Sequence, residues 1–324
     1  NLYYQRMGRH DVSRQSIFFE PNIWLRGNAW EIKAKMNSEL PDLTTMVNYR
    51  DDSNPMNIIL GNTQLRNIHY YDIEGGKTFE GKKHSRLNIN TGYHQTDNAV
   101  AYSLVFDKQT GVSTVQPISV NGNYRMDLGI GYTRPLDKKE KLSIDNQASF
   151  NYNHNVDMAM VQGATQSQRS IVNNWKISNV LKLNYRLDDN YEFTLHGGGT
   201  YYLIKSQREG FSNIHAGDYN IGVNVQVALP WKLQLTTDLT MFARRGYQLS
   251  EMNTTDWIWN AQLSRSFINK KLLVKLQGFD ILRQLSNTQY LMNAQGRTET
   301  WNNSIPRYMM LSLSWRFNVN PKKK

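Results

Sequence analysis

Apolar and polar side chains alternate with a two-residue period through most of the chain. Because successive side chains of a strand point to opposite faces, this period predicts strands with one apolar and one polar face. In the last such stretch, residues 308–317, one side is mostly polar, and the apolar side holds Met309, Leu311, Leu313, Trp315 and Phe317. A strand of a soluble sandwich would show the same alternation. This strand alone therefore does not indicate whether protein or lipid covers the apolar side, and the pattern of the rest of the chain is needed.

The same alternation predicts six hairpins before the terminal strand. Their apolar positions begin at Ile17, Leu87, Tyr124, Ile171, Tyr219 and Trp257, and their short turns lie near residues 27, 95, 137, 189, 230 and 269. The segment 37–81 has little periodicity and many turn-forming residues, so it is predicted to be a long loop. Gly197-Gly198-Gly199 is predicted to interrupt a strand with a bend or a close backbone approach.

Short and long connections alternate along this series of hairpins. The long ones cover residues 37–81, 107–118, 154–170, 206–216, 246–255 and 280–306. Transmembrane barrels show this asymmetry because their periplasmic turns are tight and their extracellular loops are extended, whereas a Greek-key sandwich mixes connection lengths. We therefore predict an all-β fold, an antiparallel up-and-down transmembrane β-barrel in the cell outer membrane. It covers residues 1–317, and a short periplasmic tail covers residues 318–324.

Composition is compatible with a barrel. Hydrophobic residues make up 39% of the 324 residues, and the mean hydropathy is −0.62. These values exclude a bundle of transmembrane helices, each of which needs roughly 18 apolar residues in a row. A barrel strand needs only about 10 residues of alternating character. The 18 Tyr and 8 Trp suit a boundary between water and lipid, and ordinary core and turn aromatics are the alternative.

The formal net charge is +11, and the chain has no cysteine, which excludes disulfides and cysteine-based metal or redox chemistry. Lys and Arg are spread along strands and turns instead of forming a block, so we do not expect nucleic acid as a partner. A barrel lumen or a rim facing lipopolysaccharide accounts for them. Arg244-Arg245 near an outer rim would suit lipopolysaccharide phosphate, and an unpaired rim charge is the alternative.

Candidate chemistry is sparse. The seven His show no zinc-type spacing, and no nucleophile motif stands in a supporting context. The His-Tyr-Tyr-Asp cluster at residues 69–72 would bind iron if it lay on an outer loop, and a solvated loop cluster is the alternative. Glu20, Glu31 and Glu192 are interpreted as lumenal carboxylates that balance Lys and Arg. We therefore expect neither enzymatic activity nor a cofactor or metal.

The segment from Pro41 to Leu65 carries a motif whose matching positions are Pro41, Leu43, Asn54, Pro55, Gly61, Asn62 and Leu65. It resembles the loop of TonB-dependent receptors and related Bacteroidetes-type outer-membrane β-barrel proteins that carries the signature Gly-Asn-Pro-x-Leu-Lys-Pro-Glu. Thr63 stands where the family has Pro, and Arg66-Asn67-Ile68 replaces Lys-Pro-Glu. In those families this loop is extracellular and precedes a strand that descends to the periplasm.

The terminal strand carries a second resemblance. Tyr308, Leu311, Leu313, Trp315 and Phe317 look like the aromatic-ended signal that the barrel-assembly machinery of Gram-negative bacteria reads. Six hairpins and this strand give thirteen strands, and Asn1–Met7 as the end of one more would give fourteen. Since family members have a plug and about 22 strands, the resemblance implies that the chain is the C-terminal portion of such a receptor.

The resemblance implies transport, in which the barrel takes up a nutrient across the outer membrane. A non-transporting structural or partner-binding barrel in a multi-protein complex is the alternative. An outer-membrane enzyme and a soluble polysaccharide-binding protein are further hypotheses. The expected partners are outer-membrane lipid and lipopolysaccharide, the barrel-assembly machinery, and a surface lipoprotein or other outer-membrane subunit.

Overall fold

A computed structural model describes residues 2–4, 12–161, 163–285, 288–293, 296–301 and 305–317. Besides strands it contains a short helix, α1 (Leu43–Met46), and 3₁₀ turns at Pro230–Lys232 and Ser250–Met252. The strands are β1 (Leu2–Tyr4), β2 (Val12–Arg14), β3 (Asn22–Gly27), β4 (Trp30–Glu39), β5 (Arg50–Asp51), β6 (Asn57–Leu60), β7 (Ile68–Glu80), β8 (Arg86–Asp97), β9 (Ala99–Phe106), β10 (Ser113–Val120), β11 (Asn123–Pro135), β12 (Leu142–Ala159), β13 (Gln168–Asp188), β14 (Tyr191–Ser206), β15 (Ile214–Leu229), β16 (Leu233–Arg245), β17 (Thr255–Phe267), β18 (Leu272–Phe279), β19 (Thr288–Asn293), β20 (Gly296–Trp301) and β21 (Tyr308–Trp315). Among the described residues, no helix has the length and apolar character needed to cross a membrane.

Thirteen strands form one large antiparallel sheet. Its order is β3-β4-β7-β8-β11-β12-β13-β14-β15-β16-β17-β18-β21, so each strand pairs with its neighbours along the chain once the strands of smaller sheets are set aside. In the described part of the chain this sheet is open, with β3 and β21 at its edges. The predicted all-β, antiparallel up-and-down architecture is confirmed. β1 pairs with β2 in a separate two-stranded sheet, so residues 2–4 do not add a fourteenth strand to the large sheet.

Tight turns lie at one end of the large sheet and long connections at the other. Five turns fall close to their predicted positions, and left-handed φ angles at Ala29 (61°), Trp231 (60°) and Asn269 (50°) allow three of these reversals. Because tight turns are periplasmic and long loops extracellular in outer-membrane barrels, we expect the end with the long connections to face the cell exterior. We call it the outer end.

Residues 37–106 differ from the prediction. Residues 68–80, predicted to lie in a long loop, form β7, which pairs with β4 and β8. Gly75 and Lys77 interrupt the apolar side of β7 between Ile73 and Phe79, so the alternation is hard to recognise. β9, predicted to be the return strand of the second hairpin, pairs with β10 in a different sheet. One strand was missed and one was misplaced, so the predicted strand number agrees with the structure for the wrong reason.

β5, β6, β10 and β9 form a four-stranded sheet at the outer end, which we call the outer sheet. It joins the connection between β4 and β7 to the one between β8 and β11 through parallel pairing of β6 with β10. An isolated antiparallel β-bridge between Val105 and Gln166 attaches a third connection, the one between β12 and β13. Three of the largest fully buried side chains, Met46, Leu65 and Pro117, belong to these connections. The outer connections therefore form one packed unit.

The large sheet has one apolar and one polar face along its whole width. The apolar face remains uncovered by the described residues: Ile177 is 51% exposed, Ile221 51% and Leu311 64%. Contiguous apolar surface of this extent is costly in water, and in a transmembrane barrel it contacts the hydrocarbon of the bilayer. In the described ranges the apolar side chains do not meet inside a closed sandwich, so the lipid-facing interpretation of the alternation stands.

Aromatic side chains lie near both limits of the apolar face. Toward the outer end, Tyr124 has ring centroids 6.0 Å from Tyr93 and 5.8 Å from Tyr152, whose ring lies 5.1 Å from Trp175. Toward the opposite end, Tyr185 follows Trp175 on the same face of β13. A tilted strand of about 9–11 residues crosses a bilayer, so the segment between these two aromatics is long enough to span one. Such aromatic rows are typical of the girdles of membrane barrels.

Gly197, Gly198 and Gly199 do not interrupt β14, because all three pair in continuous register with β13 and β15. A Cβ on Gly198 would lie 3.3 Å from the backbone oxygen of Asn179, and one on Gly199 would lie 3.2 Å from the ring of Tyr219. The predicted bend is wrong, whereas the close approach of a neighbouring backbone is present at Gly198.

Candidate ligand surface on the polar face

A chain of ionisable side chains crosses four strands of the polar face, from β4 to β11. Lys35 Nζ lies 3.4 Å from Asp72 Oδ2, and Asp72 Oδ1 lies 2.5 Å from His94 Nδ1. On its other side, His94 Nε2 lies 3.5 Å from Asp127 Oδ2, which accepts a hydrogen bond from Arg125 Nε at 2.7 Å. The strand register places Lys35, Asp72, His94 and Arg125 in one row. His94 is therefore held between two carboxylates.

Beside this row the polar face forms a depression of about 330 Å³, which we call the central depression. Gly76, Gly92 and Gly129 stand at positions of this face where a side chain would otherwise project. A Cβ on Gly129 would meet no heavy atom within 4 Å, so the missing side chain leaves open space. The polar and charged lining residues are Glu31, Lys33, Glu74, Asn90, Thr91, His94 and Asp127.

The central depression has the chemistry of a binding surface for a small polar molecule. Its lining combines carboxylates, an amine, an imidazole and an amide, so it offers hydrogen-bond donors and acceptors of both charge signs. Its volume lies at the lower end of the range for small-molecule sites, about 300–1,000 Å³. Across residues 12–161, 163–285 and the other described ranges, no group of three or more His, Cys, Asp or Glu side chains is arranged to hold a metal ion.

The cluster at residues 69–72 does not converge on one point. Its residues belong to β7, so His69 and Tyr71 lie on one face of the sheet and Tyr70 and Asp72 on the other. Asp72 is already part of the row that contains His94. The premise of the iron hypothesis, an outer loop that gathers these side chains, is therefore wrong.

The three glutamates interpreted as lumenal carboxylates lie in different surroundings. Glu31 lines the central depression and forms an ion pair with Lys33 at 3.3 Å. Glu192 lies on β14 and is paired in register with Arg186 of β13. Glu20 precedes β3, and its carboxylate accepts a hydrogen bond from the backbone N–H of Ser38 at 2.7 Å.

The motif residues organise the connection between β4 and β7. They are Pro41, Leu43, Asn54, Pro55, Gly61, Asn62 and Leu65, and all lie at the outer end. Gly61 N donates to Tyr49 O at 2.8 Å, and Asn62 Nδ2 donates to Pro117 O at 2.9 Å. Arg14 donates to the backbone oxygen of Leu65 at 2.5 Å. A Cβ on Gly61 would lie 1.8 Å from Val47 O, so only glycine permits this close approach. The contacts of Gly61 and Asn62 brace the outer sheet, and the contact of Arg14 ties β2 to this connection.

Arg244 and Arg245 point to opposite faces of β16. Arg245 Nη1 donates to the backbone oxygens of Arg244 and Thr254, each at 2.7 Å. Arg244 Nε lies 3.7 Å from Asp218 Oδ1. The two guanidinium groups therefore lie on opposite faces of the sheet, and contact of this pair with lipopolysaccharide phosphate stays a prediction.

Two outer connections fold onto the polar face at its outer end. Phe211 and Tyr247 pack against a buried cluster that consists of Val172, Ile204, Ile214 and Ala216. Tyr247 OH donates a hydrogen bond to Asp218 Oδ1 at 2.8 Å. Burial, together with this hydrogen bond, raises the pKa of Tyr247. The polar face is thus partly covered where it meets the exterior.

The terminal strand forms one edge of the large sheet. Leu311, Leu313 and Trp315 lie on the apolar face of β21, Tyr308 lies on the other face, and Phe317 follows the strand. The ring centroids of Trp315 and Phe317 are 6.2 Å apart. Recognition of these five residues by the assembly machinery stays a prediction, and the predicted tail, residues 318–324, lies outside the described residues.

Sequence reasoning did not find the row around His94. Asp72, His94 and Asp127 all occupy polar positions of their strands, and this alternation could have indicated that the three side chains share one face of the sheet. Their proximity depends on β7 lying between β4 and β8, and the sequence predicted a loop there.

Comparison with known proteins agrees with the architecture. No curated protein matches the chain. A family model described as the outer membrane protein beta-barrel family matches residues 26–203 and, in a second overlapping match, residues 164–315. Together the two matches cover all of the large sheet except the start of β3. The chain therefore belongs to the outer membrane protein beta-barrel family.

Proposed function

We propose that this outer-membrane barrel takes up a nutrient, as the transporting barrel of a TonB-dependent receptor does. The observation that carries the proposal is the polar face, on which charged and polar side chains of both charge signs line the central depression. A barrel that served only as a membrane anchor would need no such concave binding surface in its lumen. The motif in residues 41–65 supports the same class of protein.

The open edges of the large sheet support a larger barrel. Edge strands with unpaired backbone groups cannot face hydrocarbon, because each unsatisfied N–H or C=O costs several kcal/mol there. In a membrane β3 and β21 would therefore need pairing partners, and the thirteen strands of the described sheet are not the even number typical of bacterial barrels. A barrel of about 22 strands, to which this chain contributes the C-terminal portion, meets both requirements.

Uptake by whole cells tests the proposal. Cells that lack the gene are compared with cells that express the full-length protein, using fluorescently labelled neutral oligosaccharides, acidic oligosaccharides and oligopeptides. We expect periplasmic accumulation of at least one probe class to depend on the protein and to stop when a proton uncoupler is added. Equal accumulation of every probe in both strains would show that the protein is not an uptake system for these classes.

The outer sheet favours a second candidate function, a barrel that binds a partner at the cell surface. Apolar side chains stand exposed on the outer connections, among them Met56 (54%) and Tyr102 (52%). A surface lipoprotein is the proposed partner. Photo-crosslinking from position 102 of the full-length protein in cells, with position 138 in a periplasmic turn as the control, should then yield an adduct with a lipoprotein at the outer position alone.

A further inference from the structure

A second concave site, which we call the outer pocket, lies on the polar face near the outer end. It has a volume of about 320 Å³ and lies between the ends of β11, β12 and β13, beneath the connection that follows β14. Its polar lining residues are Asn123, Asn155, Asp157, Ser170, Asn174 and Arg208. The position is where a molecule arriving from the exterior would first meet the polar face.

Two polar atoms of this lining are buried without a hydrogen-bond partner. Ser170 is only 6% exposed, and its Oγ has no partner among the described residues. Asn174 Oδ1 is likewise buried and unpaired. Both residues lie on β13, two strand positions on either side of Val172, so both project from the same face. Buried polar groups are costly unless they are paired, so the two atoms mark a place where a ligand would supply hydrogen bonds.

The identity of the unpaired atoms limits the chemistry of that ligand. An amide oxygen can only accept, so the group that meets Asn174 Oδ1 must donate a hydrogen bond. Ser170 Oγ can donate or accept. Carboxylates and phosphate monoester dianions offer acceptors alone, so they cannot satisfy Asn174 Oδ1. A hydroxyl group both donates and accepts, and it satisfies either atom.

The remaining lining residues favour several adjacent hydroxyl groups. Asn155 and Asn174 each present an amide with a donor and an acceptor side by side, which matches two neighbouring hydroxyls of a sugar ring. Asp157 and Arg208 also line the outer pocket. The volume is within the range of small-molecule sites. We propose that the outer pocket binds an uncharged sugar unit of a saccharide, as the first recognition point on the uptake route. This place on an uptake route rests on the proposed transport function.

Binding is tested with the purified full-length protein in detergent, by isothermal titration calorimetry. The probes are neutral trisaccharides of glucose, mannose and xylose, a trisaccharide that contains glucuronic acid, trialanine and inorganic phosphate. We expect at least one neutral trisaccharide to bind, and we expect Ser170→Ala and Asn174→Ala each to weaken that binding roughly 10-fold. Ser178→Ala is the matched control. It lies on the same face of β13, and its hydroxyl is paired with Thr200 at 3.0 Å.

A purely structural role for these residues gives a different result. Because Ser170 Oγ is unpaired in the protein alone, Ser170→Ala should leave the stability without ligand unchanged or higher, as measured by the urea midpoint of unfolding. A loss of stability that parallels the loss of binding overturns the proposal. Binding of only phosphate, the acidic trisaccharide or trialanine overturns it as well, and so does the failure of all neutral trisaccharides to bind.

Uptake separates this inference from the proposed function. If a neutral trisaccharide binds the outer pocket but does not accumulate in cells, the pocket assignment stands and the transport proposal fails. If accumulation proceeds at the same rate in Asn174→Ala cells as in wild-type cells, transport stands and the role of the outer pocket is refuted.

Discussion

Leu181 and Lys182 are consecutive residues of β13 that lie on opposite faces of the large sheet. Leu181 pairs with Asn146 and Gly197 on the apolar face, whereas Lys182 pairs with Asp145 and His196 on the polar face. In a membrane barrel the side chain of Leu181 would therefore face hydrocarbon, and that of Lys182 would face water.

This relationship predicts unequal effects of two charge changes. Leu181→Arg places a charge in hydrocarbon and should destabilise the barrel by about 2–4 kcal/mol if the position is near the midplane. Lys182→Gln keeps a polar side chain on the wet face and should be nearly neutral. Urea unfolding in lipid vesicles and heat-modifiable migration on gels measure both. Similar losses for the two variants would contradict the assignment of the faces.

Asn146 and Asn179 form a reciprocal amide pair on the apolar face, with N–O distances of 3.1 and 3.2 Å. Asn179→Leu would leave the amide of Asn146 without this partner in hydrocarbon. We expect a loss of about 1–2 kcal/mol, since interhelical polar contacts in membranes have shown values of this order. The double variant Asn146→Leu/Asn179→Leu removes both polar groups and should recover most of that loss. A double-mutant cycle in vesicles tests this, and additive losses would speak against the pair.

Gly61 and Gly129 offer a matched pair of alanine substitutions. A Cβ at Gly61 would collide with the backbone oxygen of Val47, whereas a Cβ at Gly129 meets nothing within 4 Å. Gly61→Ala should therefore open the outer sheet and speed cleavage of the connections at residues 40–67 by an added protease. Gly129→Ala should leave cleavage unchanged while it reduces the volume of the central depression. Equal protease resistance of the two variants would show that the close contact at Gly61 is not required.

The outer connections should loosen in acid. Hydrogen bonds from Thr44 lower the pKa of Asp42, and those from Thr110 and Gln109 lower the pKa of Asp107. Because the folded pKa lies below the unfolded value of about 3.9, each carboxylate stabilises the fold above that pH, and the effect is lost as the pH falls through the folded pKa. The protection factors for hydrogen exchange of residues 40–67 and 98–122, which correct for the intrinsic pH dependence of exchange, should therefore fall below about pH 4. Asp107→Asn should remove part of this dependence, and an unchanged profile would argue against it.

The sequence predicts the large sheet well where the alternation is uninterrupted. β11 to β18 follow from apolar residues at every second position, and their tight turns follow from Asp, Asn, Pro and Lys clusters. β7 was missed because Gly75 and Lys77 stand on its apolar face, and a weak pattern beside turn formers favours a loop.

The candidate sites depend on which strands are neighbours, and a single sequence does not determine that. β9 shows the alternation of a membrane strand, yet it pairs with β10 because the chain turns away at Asn98, whose φ is 56°. Asp72 was predicted to lie in a loop, and its contact with His94, like that of His94 with Asp127, was not predicted. These contacts require the observed register, which follows from β7 and not from spacing along the chain.

The order of events during biogenesis follows from the parallel pairing of β6 with β10. Asn62 and Pro117 are 55 positions apart, and the β7–β8 hairpin, which crosses the membrane, lies between them. We expect β6 and β10 to pair only after that hairpin has been inserted and both connections have reached the cell surface. Completion of the outer sheet therefore comes after insertion, and once formed it opposes withdrawal of the hairpin toward the periplasm.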